Sequence, residues 1–430
     1  MTEPVREIAG PHDLRRLHRE YPSRYPFLLQ STTRSGELGR YDILFARPGE
    51  TIVAAGDSQF LNELDEHWQQ ERVASTGSSL PFQGGWFVYL GYELAAEIEP
   101  ALKLTPDTLL PRAFAVRCRA AFIFDHEQGV CHLVEETSNG ALDAVRRDLA
   151  RLPDALETGH AHDVVLTEED PSVYLHAVER AREYIAAGDI YQANLSRPWT
   201  ARGEFDTSAI YEALCDANPG PFAGMARWGD VEIISSSPER LLRVRDGLVS
   251  TRPIAGTRPR SDDLQTDNNL SAELFASPKE RAEHVMLIDL ERNDLGRICE
   301  AGSVVVDEMM VLESYAHVHH IVSNVSGRLR AGVTPGQAIA AVFPGGTITG
   351  CPKVRCMEII GELEQAPRGA YTGSFGYLNR DGSLDLNILI RTIVGTPSGV
   401  TLHAGSGIVA DSDPAAELAE TRAKAEGMLR

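Results

Sequence analysis

Three features are scarce or missing in this sequence of 430 residues: long apolar runs, an excess of positive charge and paired cysteines. No apolar run approaches the roughly 20 residues of a membrane-spanning helix, and the first ten residues lack the basic and apolar segments of a secretion signal. Lys and Arg number 41 against 62 Asp and Glu, and this net charge of −21 argues against a nucleic-acid partner. The six cysteines include no Cys-x-x-Cys pair, which favours reduced thiols. We therefore expect a cytoplasmic protein without a membrane or nucleic-acid partner.

The alternation of apolar and polar residues predicts consecutive strands rather than strict alternation of strands with helices. This pattern is typical of an α+β fold with antiparallel sheets. Residues 153–170 are rich in Asp, Glu, His and Thr and have no period, which predicts a linker between an N-terminal region, 1–152, and a second region, 171–430. Several helices are predicted to begin with proline in the first position: Pro171, Pro278, Pro335, Pro352 and Pro414.

Two pairs of glutamates, each spaced by three residues, are candidate metal ligands. Glu280 and Glu283 lie on one face of a predicted helix, and Glu417 and Glu420 repeat this spacing with Lys424 four residues further on. If the two pairs converge, their oxygens suit Mg²⁺, which binds one or two carboxylates and leaves positions for substrate. Spacing alone also leaves open two solvated helix faces, and Glu280 fits a capping box with the serine three residues earlier.

A glycine-rich segment at 343–355 runs into a predicted helix, so its backbone N–H groups can line an anion site. The Walker order of Gly, Lys and Ser/Thr is absent, so a carboxylate is as plausible a ligand as a nucleotide phosphate. Gly405 and Gly407 can add donors. Arg391, in a strand predicted over 389–393, can bind a carboxylate with its planar fork.

Three histidines lie close together at His317, His319 and His320. In a strand, His320 shares its face with valines, which predicts that it is buried, whereas the other two point to the opposite face. A split of this kind does not make a metal site.

Eight segments, read in order, carry a resemblance that covers nearly the whole chain. They are residues 28–31 (Leu-Leu-Gln-Ser), 81–93, 191–194 (Tyr-Gln-Ala-Asn), 237–239 (Ser-Pro-Glu), 252–257, 280–294, the glycine-rich segment and 405–411. Together they resemble the chorismate-utilising family, which includes component I of anthranilate synthase and of aminodeoxychorismate synthase, with isochorismate and salicylate synthases as cousins. The resemblance implies a sandwich of two mainly antiparallel β-sheets with helices packed outside and an active site in a deep cleft.

The resemblance also implies roles for the acidic and anion-binding residues. Glu283 and Glu420 match Mg²⁺ ligands, and Glu280 and Glu417 support them directly or through water. The metal holds the ring carboxylate of chorismate and lowers the cost of charge that develops as the 4-hydroxyl leaves. The remaining matches to substrate-binding groups are Lys424, Gly405 and Gly407 for the ring carboxylate, Arg391 and Tyr371 for the enolpyruvyl carboxylate, and Ala255, Gly256 and Thr257 in the binding segment.

Close to the ring, the resemblance places His320, Thr347 and Glu239, with Glu239 as the candidate general acid toward the departing hydroxyl. Position 192 distinguishes the nucleophile. The water-using cousins have a lysine there as general base, whereas the ammonia-using enzymes resemble this chain in having Gln192, which cannot deprotonate water. The implied product is an amino-chorismate.

Different parts of the sequence resemble different ammonia-using branches of the family. Residues 343–350, 373–377 and the Leu-Leu-Gln-Ser segment look like aminodeoxychorismate synthase, whereas Ala255 follows the anthranilate synthase pattern, because many members of the first branch have a nucleophilic lysine there. We expect amination to 4-amino-4-deoxychorismate, with anthranilate formation as the alternative. A non-catalytic chorismate-binding protein is a remote third reading, because the four glutamates, Lys424, Arg391 and Gln192 are retained.

Further expectations concern the source of ammonia, the formation of p-aminobenzoate and a bound tryptophan. No Gly-x-Cys-x-Gly turn of a glutaminase is present, so a separate glutamine amidotransferase subunit is the expected source of ammonia. No pyridoxal-phosphate lyase region is visible either, so p-aminobenzoate would need another enzyme. In the family, the N-terminal sheet can also hold a tryptophan near the serine that matches Ser31.

Overall fold

The computed structural model describes residues 6–8, 14–33, 37–56, 58–136, 141–152, 165–261, 263–315 and 318–428. The strands are β1 Arg6–Ile8, β2 Phe27–Gln30, β3 Tyr41–Val53, β4 Gly85–Leu90, β5 Ala113–Asp125, β6 Val130–Glu135, β7 Thr167–Glu168, β8 Gln192–Arg202, β9 Phe222–Trp228, β10 Val231–Ser237, β11 Arg240–Arg245, β12 Leu248–Arg252, β13 Ile254–Pro259, β14 Val305–Ser314, β15 Val318–Arg328, β16 Gly350–Cys351, β17 Ser374–Asn379, β18 Leu384–Asn387, β19 Thr392–Thr396 and β20 Gly399–Ile408.

The α-helices are α1 Leu14–Glu20, α2 Phe60–Glu71, α3 Ala95–Ile98, α4 Ala141–Ala150, α5 Pro171–Ala187, α6 Thr207–Ala217, α7 Leu264–Ala276, α8 Pro278–Gly296, α9 Pro335–Val342, α10 Lys353–Glu364 and α11 Pro414–Gly427. Short 3₁₀ helices span Glu37–Gly39, Tyr92–Leu94 and Gly346–Ile348. Among the described residues, none of the helices combines the length and the apolar character that crossing a membrane requires.

Strand β5 is the branch point of the sheet, because it is long enough to pair with two strands along one edge. Its residues 113–118 pair with β4 and its residues 120–125 pair with β6, while β3 lies along the opposite edge. One arm continues from β3 through β2, β9, β10, β19 and β20 to β8. The other continues from β4 through β17, β18, β11 and β12 to β15, which also pairs with β13 and β14. All of these pairings are antiparallel, as the sequence predicts.

Aromatic side chains fill the space between the two arms. Phe27 of β2 stacks on Phe87 of β4 with ring centroids 3.9 Å apart, and Phe375 of β17 lies 5.9 Å from Phe87. All three side chains are buried. Such contacts add to the free energy gained by removing apolar area from water. The arms thus face each other across a shared core, and the predicted α+β sandwich is confirmed, with the difference that its two layers are joined through β5.

The helices lie outside this sandwich and begin where the sequence predicts, with one exception. The Asp170 carboxylate caps α5 by accepting the Ser172 N–H at 2.9 Å, and α5 ends at Gly188 with a left-handed φ of 83°. Helix α10 begins one residue later than predicted, so Pro352 precedes it. The reason is that residues 350–351 pair with β8 as a short strand and hold the proline outside the helix.

Strands on either side of the predicted linker pair with each other, since β2 pairs with β9 and β4 with β17. Residues 153–164 lie outside the described residues, and Thr167–Glu168 form β7 against β8. The division at 153–170 stays a prediction.

Removing the ring of Phe87 tests the importance of the contact between the arms. We expect Phe87→Ala to lower the free energy of unfolding by about 3–5 kcal/mol, because the side chain is fully buried and leaves a cavity. Phe275→Ala, at a position 47% exposed on α7, is the matched control and should cost about 1 kcal/mol or less. Denaturant unfolding measures both variants, and equal losses would contradict the proposed role of the aromatic core.

Candidate active site

Two glycines of β20 bring together several predicted site residues. A Cβ on Gly405 would lie 2.8 Å from the Tyr371 hydroxyl, and a Cβ on Gly407 would lie 2.5 Å from Gln192 Nε2. The Gly405 carbonyl accepts a hydrogen bond of 2.8 Å from Lys424 Nζ on α11. Glycine is required here because the neighbouring side chains occupy the space that a Cβ would need. We call Gln192, Tyr371, Gly405, Gly407 and Lys424 the Gly405 cluster.

Two amide oxygens, one in the Gly405 cluster and one next to it, have no hydrogen-bond partner among the described residues. They are Gln192 Oε1 and Asn194 Oδ1, both buried. An unpaired buried acceptor costs free energy, so this is a place where a ligand or a water supplies a donor. The sequence motif includes Asn194 but does not by itself identify it as a site residue. The alternation in β8, which puts residues 192 and 194 on the same face, is the signal that could have identified it.

The two predicted metal-binding pairs lie on α8 and α11. On α11, Glu420 forms an ion pair of 2.8 Å with Lys424, and both side chains are about half exposed. Glu417, one turn earlier, is partly buried. Burial raises the pKa of Tyr174, and the negative charges of Glu417 and Glu420 raise it further, so both glutamates lie near the Tyr174 hydroxyl. Glu420 and Lys424 are therefore in contact, as their spacing of four residues predicts.

On α8, Glu280 lies over Gly256, because its Oε2 is 2.9 Å from the position that a Cβ on that glycine would take. Gly256 has a φ of 74°, which also favours glycine. The Glu280 carboxylate pairs with Arg258 at 3.2 Å, a partner that sequence reasoning missed. Ser277 caps α8 through the Glu280 N–H, but the Glu280 side chain does not complete the capping box. Glu283 is partly buried one turn further along.

Glu239 is buried at the junction of β10 and β11. Its carboxyl accepts the Ile254 N–H at 3.3 Å, and Thr347 of the glycine-rich segment faces it. Burial raises the pKa of Glu239 to about 8, which outweighs the lowering by these two neighbours. The carboxyl is therefore mostly protonated at neutral pH, as a general acid requires.

A second buried acid, Glu291, was missed by sequence reasoning. It lies on α8, 6% exposed, on the same helical face as the buried Ile288 and Leu295. Burial, and next the negative charge of Asp294, raise the pKa of Glu291 to about 7. The signal that could have identified it is the helical period, which places this glutamate on an apolar face.

His320 is buried, as predicted, and shares a hydrogen bond of 2.9 Å between its Nδ1 and the Thr257 hydroxyl. Its Nε2 has no partner among the described residues. Burial, followed by the charge of Arg391, lowers the pKa of His320 to about 4, so the ring is neutral at physiological pH. His319 is also buried, against Asp267 of α7 at 3.0 Å, and His317 lies outside the described residues.

Arg391 does not lie in a strand, contrary to the prediction. Strand β19 begins at Thr392, and Arg391 has a left-handed φ of 50° while its carbonyl accepts the Ser236 N–H at 3.1 Å. The guanidinium has no ion pair within the described part of the chain, and burial lowers its pKa. An unpaired, partly buried cation of this kind favours binding an anion.

The glycine-rich segment connects these groups. The Asn194 N–H donates to the Thr349 carbonyl at 2.8 Å, and Gly350 lies so close to β8 that a Cβ would be 2.1 Å from the Gln192 carbonyl oxygen. Thr347, three residues earlier, faces Glu239.

A backbone hydrogen bond joins the segment of Tyr371 to the segment of Arg391. The Thr372 N–H donates to the Leu389 carbonyl at 2.8 Å. Ala255, in β13, pairs with β15 beside His320 and offers no amine.

A cavity of about 310 Å³ lies apart from these residues, between the two arms. Its lining includes Gln30 and four arginines, Arg40, Arg240, Arg243 and Arg245. Ser31 is the next residue after Gln30 in the chain, and its hydroxyl donates to the Thr33 carbonyl at 2.9 Å. The expected tryptophan near Ser31 stays a prediction.

Comparison with known proteins gives consistent results. The family model of chorismate binding enzymes matches residues 24–430. A Synechocystis sp. protein named anthranilate synthase component I-like is 42% identical, covering 91% of this chain and 82% of that protein. Aminodeoxychorismate synthase component 1 of Bacillus subtilis is 39% identical, covering 91% and 89%. The crystal structure of anthranilate synthase component I from Streptococcus pneumoniae superposes with a TM-score of 0.82 at 32% identity, covering 92% and 93%. The chain therefore belongs to the chorismate binding enzyme family.

Proposed function

We propose that this chain is an aminodeoxychorismate synthase component I, which aminates chorismate with ammonia to 4-amino-4-deoxychorismate in the presence of Mg²⁺. The observation that carries the use of ammonia is Gln192. Its buried amide oxygen has no donor within the described residues, and its Nε2 lies against Gly407, at a place where an amine base would be needed to activate water. Ammonia is itself a nucleophile and an N–H donor, so it needs no such base.

Two cationic groups of the site suit the two carboxylates of chorismate. In this proposal, Lys424 and the backbone N–H groups at Gly405 and Gly407 bind the ring carboxylate. Arg391 and the Tyr371 hydroxyl bind the enolpyruvyl carboxylate. Support comes from the unpaired guanidinium of Arg391 and from the cluster of the other groups around Gly405. A dianion thus finds local positive charge in a chain with a net charge of −21.

The acid step is assigned to Glu239. Its proton passes to the oxygen of the 4-hydroxyl while the C–O bond breaks, so that water leaves instead of hydroxide. Thr347 faces the same carboxyl and helps to orient it. The neutral His320 ring can donate or accept a hydrogen bond through Nε2, depending on its tautomer, without adding charge.

The acidic residues offer the oxygen donors that Mg²⁺ prefers. No group of three metal-binding side chains gathers within the described residues, and Mg²⁺ commonly takes one or two protein carboxylates together with water and substrate. Carboxylate oxygens are donors that the ion prefers, and the proposal takes Glu283 and Glu420 as its ligands, with Glu280 and Glu417 in support. When bound, the ion would neutralise the ring carboxylate and stabilise charge that develops in the ring.

The proposed partner is a glutamine amidotransferase subunit. The Synechocystis and Bacillus relatives are named as components I and 1, and a component of this kind works beside a second one. In the proposal that subunit releases ammonia from glutamine and delivers it to the site near Gln192.

Anthranilate synthesis is the second candidate, and Ala255 favours it. A lysine at this position could add transiently to ring C2, and alanine cannot. The Synechocystis and Streptococcus relatives are also named for anthranilate synthase. If the product is aminodeoxychorismate, water or a first ammonia has to act as the transient C2 group. A covalent adduct between enzyme and substrate, trapped during turnover, would contradict that route.

One assay separates the candidate functions. The purified chain is mixed with chorismate, Mg²⁺ and ammonium, with and without an aminodeoxychorismate lyase. We expect p-aminobenzoate only when the lyase is present. Fluorescent anthranilate without the lyase would replace the first candidate by the second, and unchanged chorismate would support a non-catalytic binding protein.

Substitution of a proposed metal ligand tests the assignment on α8. We expect Glu283→Gln to abolish activity or to raise the Mg²⁺ concentration needed for half-maximal rate by at least about tenfold, because an amide is a weaker ligand than a carboxylate. Asp289→Asn, at an exposed position of the same helix, is the matched control and should leave the Mg²⁺ dependence unchanged. Steady-state rates over a Mg²⁺ titration provide the measurement, and unchanged kinetics of Glu283→Gln would remove this residue from the metal site.

A single added methyl group tests the Gly405 cluster. Gly407→Ala places a Cβ 2.5 Å from Gln192 Nε2, so the amide has to move and the binding space changes. We expect kcat/KM for chorismate to fall by about 100-fold, as misplacement near 1 Å can do. Gly296→Ala, whose Cβ meets nothing within 4 Å, is the control. Full activity of Gly407→Ala would show that Gln192 does not have to hold its position.

A further inference from the structure

Arg368 is a buried arginine in the connection between α10 and β17, against the ring of Tyr371. It is 3% exposed, and its guanidinium meets the carboxylate of Glu364, the last residue of α10, as a fork. Nε donates to one carboxylate oxygen at 2.8 Å and Nη2 to the other at 2.6 Å. The positive charge is therefore balanced at close range, and the pair adds no net charge that would attract a dianion.

The remaining donors of Arg368 reach three segments of the candidate site. Nη2 also donates to the Asn194 carbonyl of β8 at 2.7 Å. Nη1 donates to the Ile348 carbonyl of the glycine-rich segment at 3.2 Å and to the Thr372 hydroxyl at 3.3 Å. A guanidinium has five N–H groups, and all of them are used within the described part of the chain. Arg368 can therefore act on a ligand only through its neighbours.

Two of these neighbouring segments converge on Gly405. A Cβ on Gly405 would lie 2.8 Å from the Tyr371 hydroxyl and 3.0 Å from Asn194 Oδ1. Arg368 holds Asn194 through its carbonyl, whereas Asn194 Oδ1 has no partner among the described residues. Tyr371 directly precedes Thr372, which Arg368 also contacts. One guanidinium therefore supports the backbone behind both side chains that reach Gly405.

The backbone at Thr372 needs such support. Thr372 has a left-handed φ of 62°, which is unfavourable for a residue branched at Cβ and persists only where the surroundings hold it. Its N–H donates to the Leu389 carbonyl at 2.8 Å, and its hydroxyl accepts the hydrogen bond from Arg368. Loss of these contacts would let the turn relax and move the adjoining Tyr371 ring.

The guanidinium also contacts the Tyr371 ring directly. Arg368 Cζ lies 5.6 Å from the ring centroid, within the range of a cation–π contact, and the ring stacks on His403 with centroids 5.4 Å apart. Burial raises the pKa of Tyr371 to about 12, an increase that the charge of Arg368 offsets only in part. The hydroxyl is therefore protonated at neutral pH and can donate a hydrogen bond to a carboxylate.

Stability alone is a weak reason to bury an ion pair. Removing two charges from water costs free energy that their attraction often fails to recover, and apolar side chains of similar volume commonly do as well. What a fork of arginine and carboxylate does provide is a fixed geometry. Glu364 extends this geometry, because its Oε1 also accepts the Ser196 N–H at 2.7 Å and so ties the pair to β8.

We propose that Arg368, held by Glu364, is a positioning residue that keeps the Tyr371 hydroxyl and the Asn194 amide directed at the chorismate-binding space beside Gly405. This inference rests on the proposed function for the place of the substrate. It does not depend on which amino product the enzyme forms, because the positioned groups act on chorismate before ammonia reacts.

Exchange of arginine for lysine removes the fork and keeps the charge. Arg368→Lys retains a cation for Glu364 but has three N–H donors on one atom in place of five on a plane. We expect the Kd for chorismate, measured by isothermal titration calorimetry without ammonia, to rise by at least about tenfold, because the binding groups lose their alignment. An unchanged Kd would overturn the proposal.

Arg117→Lys is the matched control. Arg117 is 1% exposed in β5 and also uses five donors, on partners that lie on α2, β4 and β5 and just after β6: Glu71, Gly85, Cys118 and Glu136. We expect both lysine variants to lower the Tm by similar amounts, whereas Arg117→Lys should leave the Kd for chorismate unchanged. An equal rise in Kd in both variants would show a general loss of stability and overturn the proposal.

A milder pair of variants covers the case in which Arg368→Lys does not fold. Thr372→Val has nearly the same shape as threonine but offers no hydroxyl to Arg368, whereas Thr372→Ser keeps the hydroxyl. We expect the Kd for chorismate to rise by at least about threefold in Thr372→Val and to stay within about twofold of the wild type in Thr372→Ser. Equal Kd values in the two variants, with both folded by circular dichroism, would contradict the positioning role.

A double-mutant cycle tests whether Arg368 acts through Tyr371. Tyr371→Phe removes the hydroxyl whose position is in question. The rise in Kd caused by Arg368→Lys should be at least about threefold smaller in the Tyr371→Phe background than in the wild type, because coupled residues are not additive. The same rise in both backgrounds would mean that the two residues act independently, against the proposal.

The product assay keeps this inference apart from the proposed function. If Arg368→Lys weakens chorismate binding as expected but the wild-type product is anthranilate, the positioning role stands and the proposed function fails. If the wild-type chain forms 4-amino-4-deoxychorismate and Arg368→Lys binds chorismate equally tightly, the proposed function stands and the positioning role fails. A wild-type chain that binds no chorismate overturns both.

Discussion

The candidate site depends on one close approach between two backbones. Gly350 pairs with β8 at a distance that leaves no room for a Cβ beside the Gln192 carbonyl. This contact fixes one end of the glycine-rich segment against Gln192 and Asn194. The other end, at Gly346 and Thr347, reaches the buried carboxyls near α8. A ligand in contact with both ends would therefore meet amide groups on one side and carboxyl groups on the other.

The cations of the candidate site differ mainly in whether a carboxylate pairs with them. Lys424 and Arg258 have carboxylate partners, whereas the guanidinium of Arg391 has none among the described residues. A partly buried cation without an ion-pair partner is costly to keep without a ligand, and binding an anion recovers part of that cost. In the proposed site, Arg391 is thus the group at which an incoming carboxylate would gain most, while the paired groups would mainly set geometry.

Local sequence patterns were sufficient to predict most of the helices and strands. Helix α5 shows why, because its cap at Asp170 and its glycine at position 188 are local signals that tertiary packing does not oppose. Arg391 and Pro352 were placed wrongly because a hydrogen bond from Ser236 and the pairing of residues 350–351 with β8 come from distant parts of the chain. Most of the candidate site followed from motifs. Glu291 did not, because no motif includes it as a site residue and its raised pKa depends on burial and on the nearby charge of Asp294.

The branching of the sheet at β5 limits where residues can be inserted or deleted in the chain. Because side chains alternate between faces along a strand, inserting or deleting one residue in Ala113–Asp125 reverses every position beyond it. In most sheets such an error affects one pair of neighbours. Here it would displace β4 or β6 on one edge and β3 on the other, and so misalign both layers at once. Length variation among related chains should therefore fall in the connections on either side of this strand and spare the strand itself.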